Sequence, residues 1–247
     1  MGTSHLIEKI IEYFRNKPDV YAEAFATHIM ISAICVGIAC AVGIPLGIAC
    51  AKSRRVRLFV TGVFSTLRIV PSLAVLFICM PIFGIGLTPA LIALSFLAIP
   101  PVLINTTQAF AAIPRPVIET AEAMGMTGGM ALTRVKFPLA APLILAGVKT
   151  ATVEVIASAT LAAYIGAGGL GNIIFTGLGL LRPDLLIIGG ASVAALSVVA
   201  DTLLSKLEKR LVRYRDPGMR PRPSGPGHGY GHGHGNTAKA AGTARAA

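Results

Sequence analysis

IPRPVIETAEAMGMTGGMALTRVKFP, residues 113–138, is the longest polar interval in a chain that otherwise reads as lipid-soluble. Pro116 suits the first position of a helix, where its missing N–H is not needed. Glu119 and Glu122 then fall in the opening turns, near the positive end of the helix dipole. Val117, Ile118, Ala121 and Met124 recur at helical spacing and form one apolar face. Gly125 stands where a left-handed cap would end that helix. Thr127 can cap a second short helix, which must stop before Pro138. The stretch predicts two short helices around a glycine elbow, with hydrophobic segments entering and leaving.

Those flanking segments set the fold class. Of 247 residues, 54% are hydrophobic and 13% charged, against about 25% charged in a soluble domain. Several apolar runs exceed the roughly 20 residues that cross a bilayer as helix. The expectation is an all-α membrane protein with about five transmembrane helices: 24–51, 58–83, 89–111, 139–164 and 185–207. Residues 1–23 precede this domain (24–212), and Leu6, Ile10, Ile11 and Phe14 give them the face of a helix lying at the membrane surface. No positively charged n-region with a cleavage site opens the chain, so no signal peptide is expected. Residues 213–247, rich in Pro, Gly, His and Ala, bury too little apolar surface to fold and read as a disordered tail. A solvated tail is the expected role of His228, His232 and His234, ahead of weak metal binding.

Charge gives the orientation. The net charge of +11 does not imply nucleic acid, because the basic residues flank the spans or sit in the tail. Sixteen Lys and Arg fall on the side of the 52–57 cluster, the 113–138 stretch and the C-terminus; four (Lys9, Arg15, Lys17 and Arg182) fall on the other. That asymmetry predicts the N-terminus outside and the C-terminus in the cytoplasm, with the 113–138 stretch cytoplasmic. A DNA-binding helix-turn-helix is excluded there, since only Arg115, Arg134 and Lys136 are basic and spans adjoin both ends.

Within the spans, the polar residues are the candidates for function. Glu154 lies some 15 residues into the fourth span, and a carboxylate at that depth faces the bundle interior or a watery cavity. The competing reading is a structural carboxylate paired with Lys149, although five residues is a poor spacing for one helix face. Asn105, Thr106, Thr107 and Gln108 form a polar run after Pro100-Pro101, and bonding to neighbouring helices is the plainer reading of it. Arg68, Pro71 and Ser72 mark a polar, kinked start to the second span. Cys35, Cys40, Cys50 and Cys79 read as small packing residues, without metal-ligand spacing. Gly166-Ala-Gly-Gly-Leu-Gly171 matches a dinucleotide fingerprint in letters, but no strand precedes it and no acidic residue lies about 20 positions on. Its glycines serve close packing or a helix break at an outer mouth. No Walker A segment or hydrolytic triad is present, so the chain has no ATPase chemistry of its own.

Glu119-Thr120-Ala121, three residues, Gly125, nine residues, then Val135-Lys136-Phe137-Pro138 resembles the Glu-Ala-Ala loop of ABC importer permeases. The spacing is the family's, with Thr120, Val135 and Phe137 replacing Ala, Ile and Leu. The resemblance implies that this loop is a cytoplasmic coupling helix, between the third and fourth spans, docking on an ATPase dimer that binds the ATP and magnesium. Val70-Pro71-Ser72-Leu73-Ala74, Phe83-Gly-Ile-Gly-Leu87, Pro100-Pro101 to Asn105-Thr106, and Ile165 to Gly171 resemble the branch importing glycine betaine, choline or carnitine. That implies a second permease copy or paralogue, and a separate extracytoplasmic binding protein. Glu154, Asn105, Thr106, Pro71 and Ser72 are the candidate pathway residues. A permease for another solute such as an amino acid, a passive channel, and a scaffold are the alternatives. The coupling motif argues against the channel, and the polar groups in the spans argue against the scaffold.

Overall fold

The computed structural model describes the backbone of residues 3–215 and the side chains of 5–211; the expected disordered tail, with its histidines, lies outside them. Helices and the turns between them make up the described residues, with no strand among them. In order they form α1 (Thr3–Asn16), α2 (Pro18–Ala51), α3 (Arg54–Leu67), α4 (Ser72–Phe83) and α5 (Leu87–Ala111). Then come α6 (Arg115–Ala123), α7 (Gly128–Ala131), a π turn (Leu132–Lys136) and α8 (Phe137–Ala162). A 3-10 turn (Ala163–Ile165), α9 (Leu170–Gly179) and α10 (Pro183–Arg215) complete the chain. Among the described residues four helical segments are long and apolar enough to cross a membrane, or five if α3 and α4 count as one broken span.

The core is a seam of small side chains. Ile31, Cys35, Ala39, Gly43 and Gly47 recur every fourth residue along α2, all buried, and face α5. Repeats of that spacing let helix backbones approach closely, which is how helices associate where lipid removes the hydrophobic drive. A Cβ on Gly47 would lie 2.6 Å from the Thr106 Cβ, and one on Gly147 of α8 would lie 2.8 Å from the Pro101 carbonyl. So α5 is clamped between α2 and α8 at two glycine contacts. A second cluster, of Leu170, Ile173, Leu185 and Ile188, joins α9 to α10 and receives Ile10 and Tyr13 from α1. That contact uses only one side of α1, since Ile7, Ile11 and Phe14 remain exposed. The bundle has two distinct ends. Gly86, just before α5, donates to the Ile165 carbonyl after α8, and the 113–138 elbow lies roughly 37 Å away, at the far end of the 25-residue α5.

Two expectations need correcting. The second span is not a single kinked helix over 58–83: α3 and α4 meet at 88° across residues 68–71. Pro71 is the cause. It has no N–H for the carbonyl four residues back, and it forces Val70 out of helical backbone. The second short helix of the 113–138 stretch also does not stop before Pro138, because helix runs on from Gly128 to Ile165. Pro138 fails as a stop since the π turn before it widens the coil. The Phe137 N–H reaches back five residues to the Leu132 carbonyl, which relieves the clash proline makes in a regular helix.

Candidate functional site

The elbow of residues 113–138 is built by local sequence chemistry. Pro114 is the N-cap of α6, so Arg115 leads and Pro116 follows one place later than its motif suggests. The helix ends in a Schellman turn: the Met126 N–H donates to the Ala121 carbonyl and the Gly125 N–H to that of Glu122. Gly125 has φ +77°, the left-handed conformation that glycine adopts without cost. A Cβ there would meet nothing within 4 Å, so backbone conformation rather than crowding demands the glycine. Thr127 caps α7, its hydroxyl accepting from the Met130 N–H at 3.4 Å.

The elbow turns one face inward and one outward. Ala121 and Ala131 are buried, and Val117 and Ile118 half-buried. Glu119, Thr120, Glu122, Ala123 and Met124 are exposed, Met124 at 65%. Thr120 bonds back to the Pro116 carbonyl at 2.8 Å. Val135 lies in the π turn, and Phe137 and Pro138 open α8 with exposed side chains. A rigid connection therefore joins the elbow to the fourth span, since π turn and α8 are continuous helix.

A second site lies where the break between α3 and α4 meets α5 and α8. Glu154 of α8 pairs with Arg68, the C-cap of α3, and not with Lys149. Lys149 instead reaches α10, at 3.3 Å from the Ser205 hydroxyl and 3.9 Å from both Asp201 and Glu208. Ser72 shares a cavity of about 220 Å³ with the Arg68–Glu154 pair, while Pro71 beside it is the N-cap of α4. The structure takes Asn105 and Thr106 elsewhere. The Asn105 amide donates to the Pro101 carbonyl of its own helix at 2.8 Å, and Thr106 is buried against Gly47. Of the polar run, Thr107 reaches a neighbouring helix, donating at 3.3 Å to the Gly47 carbonyl.

Two features were missed in the sequence. Arg68 is the partner of Glu154, 86 positions away, a pairing that only the tertiary fold creates. His28 is fully buried in α2, bonded through Nε2 to the Ile156 carbonyl at 3.1 Å, and its Nδ1 has no hydrogen-bond partner among the described residues. The small-residue repeat around it was the available signal.

Comparison with known proteins supplies the family. Residues 43–213 match the family model of the binding-protein-dependent transport system inner membrane component. The carnitine transport permease protein OpuCB of Listeria monocytogenes is 41% identical over 205 residues, covering 83% of this chain and 94% of the relative. The choline transport system permease protein OpuBB of Bacillus subtilis is 38% identical, over 74% of this chain and 85% of its own. Among solved structures, the MetNI methionine ABC transporter in an inward-facing form matches with TM-score 0.67 and 18% identity, over 78% of this chain and 96% of that one. An amino acid ABC transporter crystallised with histidines matches with TM-score 0.65 and 19% identity, over 81% of this chain and 98% of that one. At those identities the structures speak for the fold alone. The match over residues 43–213 and the 41% identity place this chain in the family of binding-protein-dependent transport inner membrane components, as a multi-pass ABC importer permease subunit.

Proposed function

We propose that the chain is the permease of an importer for small quaternary-ammonium osmoprotectants, and that its 113–138 elbow couples it to the ATPase. The observation that carries the coupling role is the exposed face of α6, from Glu119 to Met124, set by a Schellman turn against a second helical segment that runs unbroken from Gly128 into a span. Such an element transmits a push along α8 without needing a hinge. Glu119, Thr120, Ala121 and Gly125 form the docking half; Val135, Phe137 and Pro138 form the joint to the span. ATP and magnesium belong to the partner ATPase dimer, whose closure would rock the permease between inward- and outward-open states. The names of the two relatives, carnitine and choline permeases, support the substrate class. A binding protein outside would deliver the solute, and a second copy or paralogue would complete the pathway. Glu154 and Ser72, beside Pro71, are the pathway residues that this reading favours over Asn105 and Thr106.

The reading is tested by reconstituting the permease with its ATPase and binding protein in vesicles and measuring labelled glycine betaine and choline uptake. ATP-dependent uptake of at least one is expected; uptake of neither, with ATPase activity intact, would remove the substrate class. Topology gives an independent check. A reporter fused after Leu87 is expected outside, and reporters after Arg57 and Arg213 in the cytoplasm, following the charge asymmetry. A cytoplasmic signal at Leu87 would reverse the orientation and put the elbow beyond the reach of an ATPase.

A further inference from the structure

Arg68 and Glu154 keep 40% and 41% of their side chains exposed, deep in segments whose other exposed residues are mostly apolar. Glu154 stands 11 residues before Ile165 in its helical segment, roughly 16 Å along the axis and near the middle of a bilayer. Charges at that depth do not face hydrocarbon. They face a cavity or another protein surface. The cavity here holds about 220 Å³ and is lined by Val70, Ser72, Leu94 and Ser158 with the two charged groups, which is smaller than the ~300–1,000 Å³ of drug-sized ligands. It sits where a span is broken, with α4 starting at Ser72 and no side-chain cap on its first N–H groups. Broken membrane helices put unsatisfied backbone donors and a positive dipole end beside the solute path.

From this geometry we infer that the cavity is a subsite for a small zwitterion, taking its carboxylate on Arg68 and the α4 N-terminus and its cationic group on Glu154. The assignment rests on the import reading above. Its physical basis is the cost of parting the pair. Opening Arg68 from Glu154 leaves two half-exposed charges unpaired at membrane depth, which is unfavourable unless both find new partners. A zwitterion supplies both at once, its dipole opposed to that of the pair. A bare cation satisfies Glu154 and leaves Arg68 uncompensated. The lining contains no aromatic ring, so Glu154 rather than a cation–π cage selects the cationic end. With no solute present the pair closes on itself and keeps the path free of net charge.

The test compares glycine betaine, a zwitterion, with choline, a cation without a carboxylate, in the complete reconstituted complex at saturating binding protein. Arg68→Gln is expected to lower glycine betaine uptake by at least about tenfold, the least that a charge-assisted hydrogen bond contributes, while choline uptake falls far less. Glu154→Gln is expected to lower both, and Arg68→Lys to restore part of the glycine betaine uptake. Equal loss of both solutes in Arg68→Gln, or no loss in either variant, overturns the subsite. Should Arg68→Gln fail to assemble with the ATPase, Arg68→Lys carries the test: a smaller shift of the ratio towards choline supports the inference, and an unchanged ratio overturns it. Wild-type complex that moves neither solute removes the import reading, and the subsite with it.

Discussion

Exchanging Glu119 for lysine is expected to strip the ATPase from the purified complex and to stop uptake, while the permease inserts normally. Glu119 is exposed and has no ion pair or side-chain hydrogen bond within the chain among the described residues. Reversing its charge therefore breaks no side-chain contact within the described residues, and a large effect on complex formation comes through a partner. Truncating a charge paired across an interface costs about 2–5 kcal/mol, or roughly 30-fold and more in affinity. Gly125→Leu acts by another route. Nothing lies within 4 Å of a Cβ at that position, so the penalty is conformational alone, about 1–2 kcal/mol for left-handed backbone. It should weaken coupling less than Glu119→Lys does, and Gly125→Asn should be close to wild type because asparagine tolerates that conformation. ATPase retention on affinity-purified permease, measured beside uptake, reads all three. Full retention and normal uptake in Glu119→Lys would remove the elbow's docking role.

The largest expected loss of stability lies at the opposite end of the bundle. Gly171→Ala is expected to dislodge α9, because its Cβ would sit 2.1 Å from the Thr160 carbonyl oxygen and 2.7 Å from the Ala163 Cβ. Both neighbours belong to the end of α8 and its 3-10 turn, so neither can swing aside as a flexible side chain would. The expected cost exceeds about 3 kcal/mol, the upper end for overpacking, and lowers the apparent melting temperature of the detergent-solubilised permease by roughly 6–12 °C. Gly62→Ala is the control. Its Cβ would meet nothing within 4 Å in α3, and alanine is the better helix former. A Gly171→Ala protein as stable as Gly62→Ala would mean that α9 packs loosely against α8.

The elbow was legible because its structure is local. Gly125 and Thr127 act on backbone groups within five residues, so their chemistry determines the turn and the cap without help from the fold. The spans were legible for a similar reason, since crossing hydrocarbon requires long apolar helices whatever they pack against. The break between α3 and α4 was harder. A hydropathy average runs smoothly through Ile69 and Val70, and only Pro71 marks the 88° turn. Pro138 misled in the other direction, because five residues of π helix absorb a proline that normally stops a helix. Pairing within the bundle was not legible at all. Nothing local tells Glu154 to choose Arg68 over Lys149, or sends Asn105 and Thr106 into the glycine seam. The seam itself could have been read from Gly43-Ile-Pro-Leu-Gly47, a small-residue repeat at the spacing helices use to approach closely.

The most direct measurement places a photo-cross-linking amino acid at Met124, the exposed tip of α6, in permease co-expressed with its ATPase and binding protein. Irradiation should yield one adduct, of permease with ATPase, whereas the same probe at Leu178, exposed near the other end of the bundle, should yield none with the ATPase. An intact, transporting complex in which the Met124 probe never labels the ATPase, or labels the binding protein instead, would contradict the account.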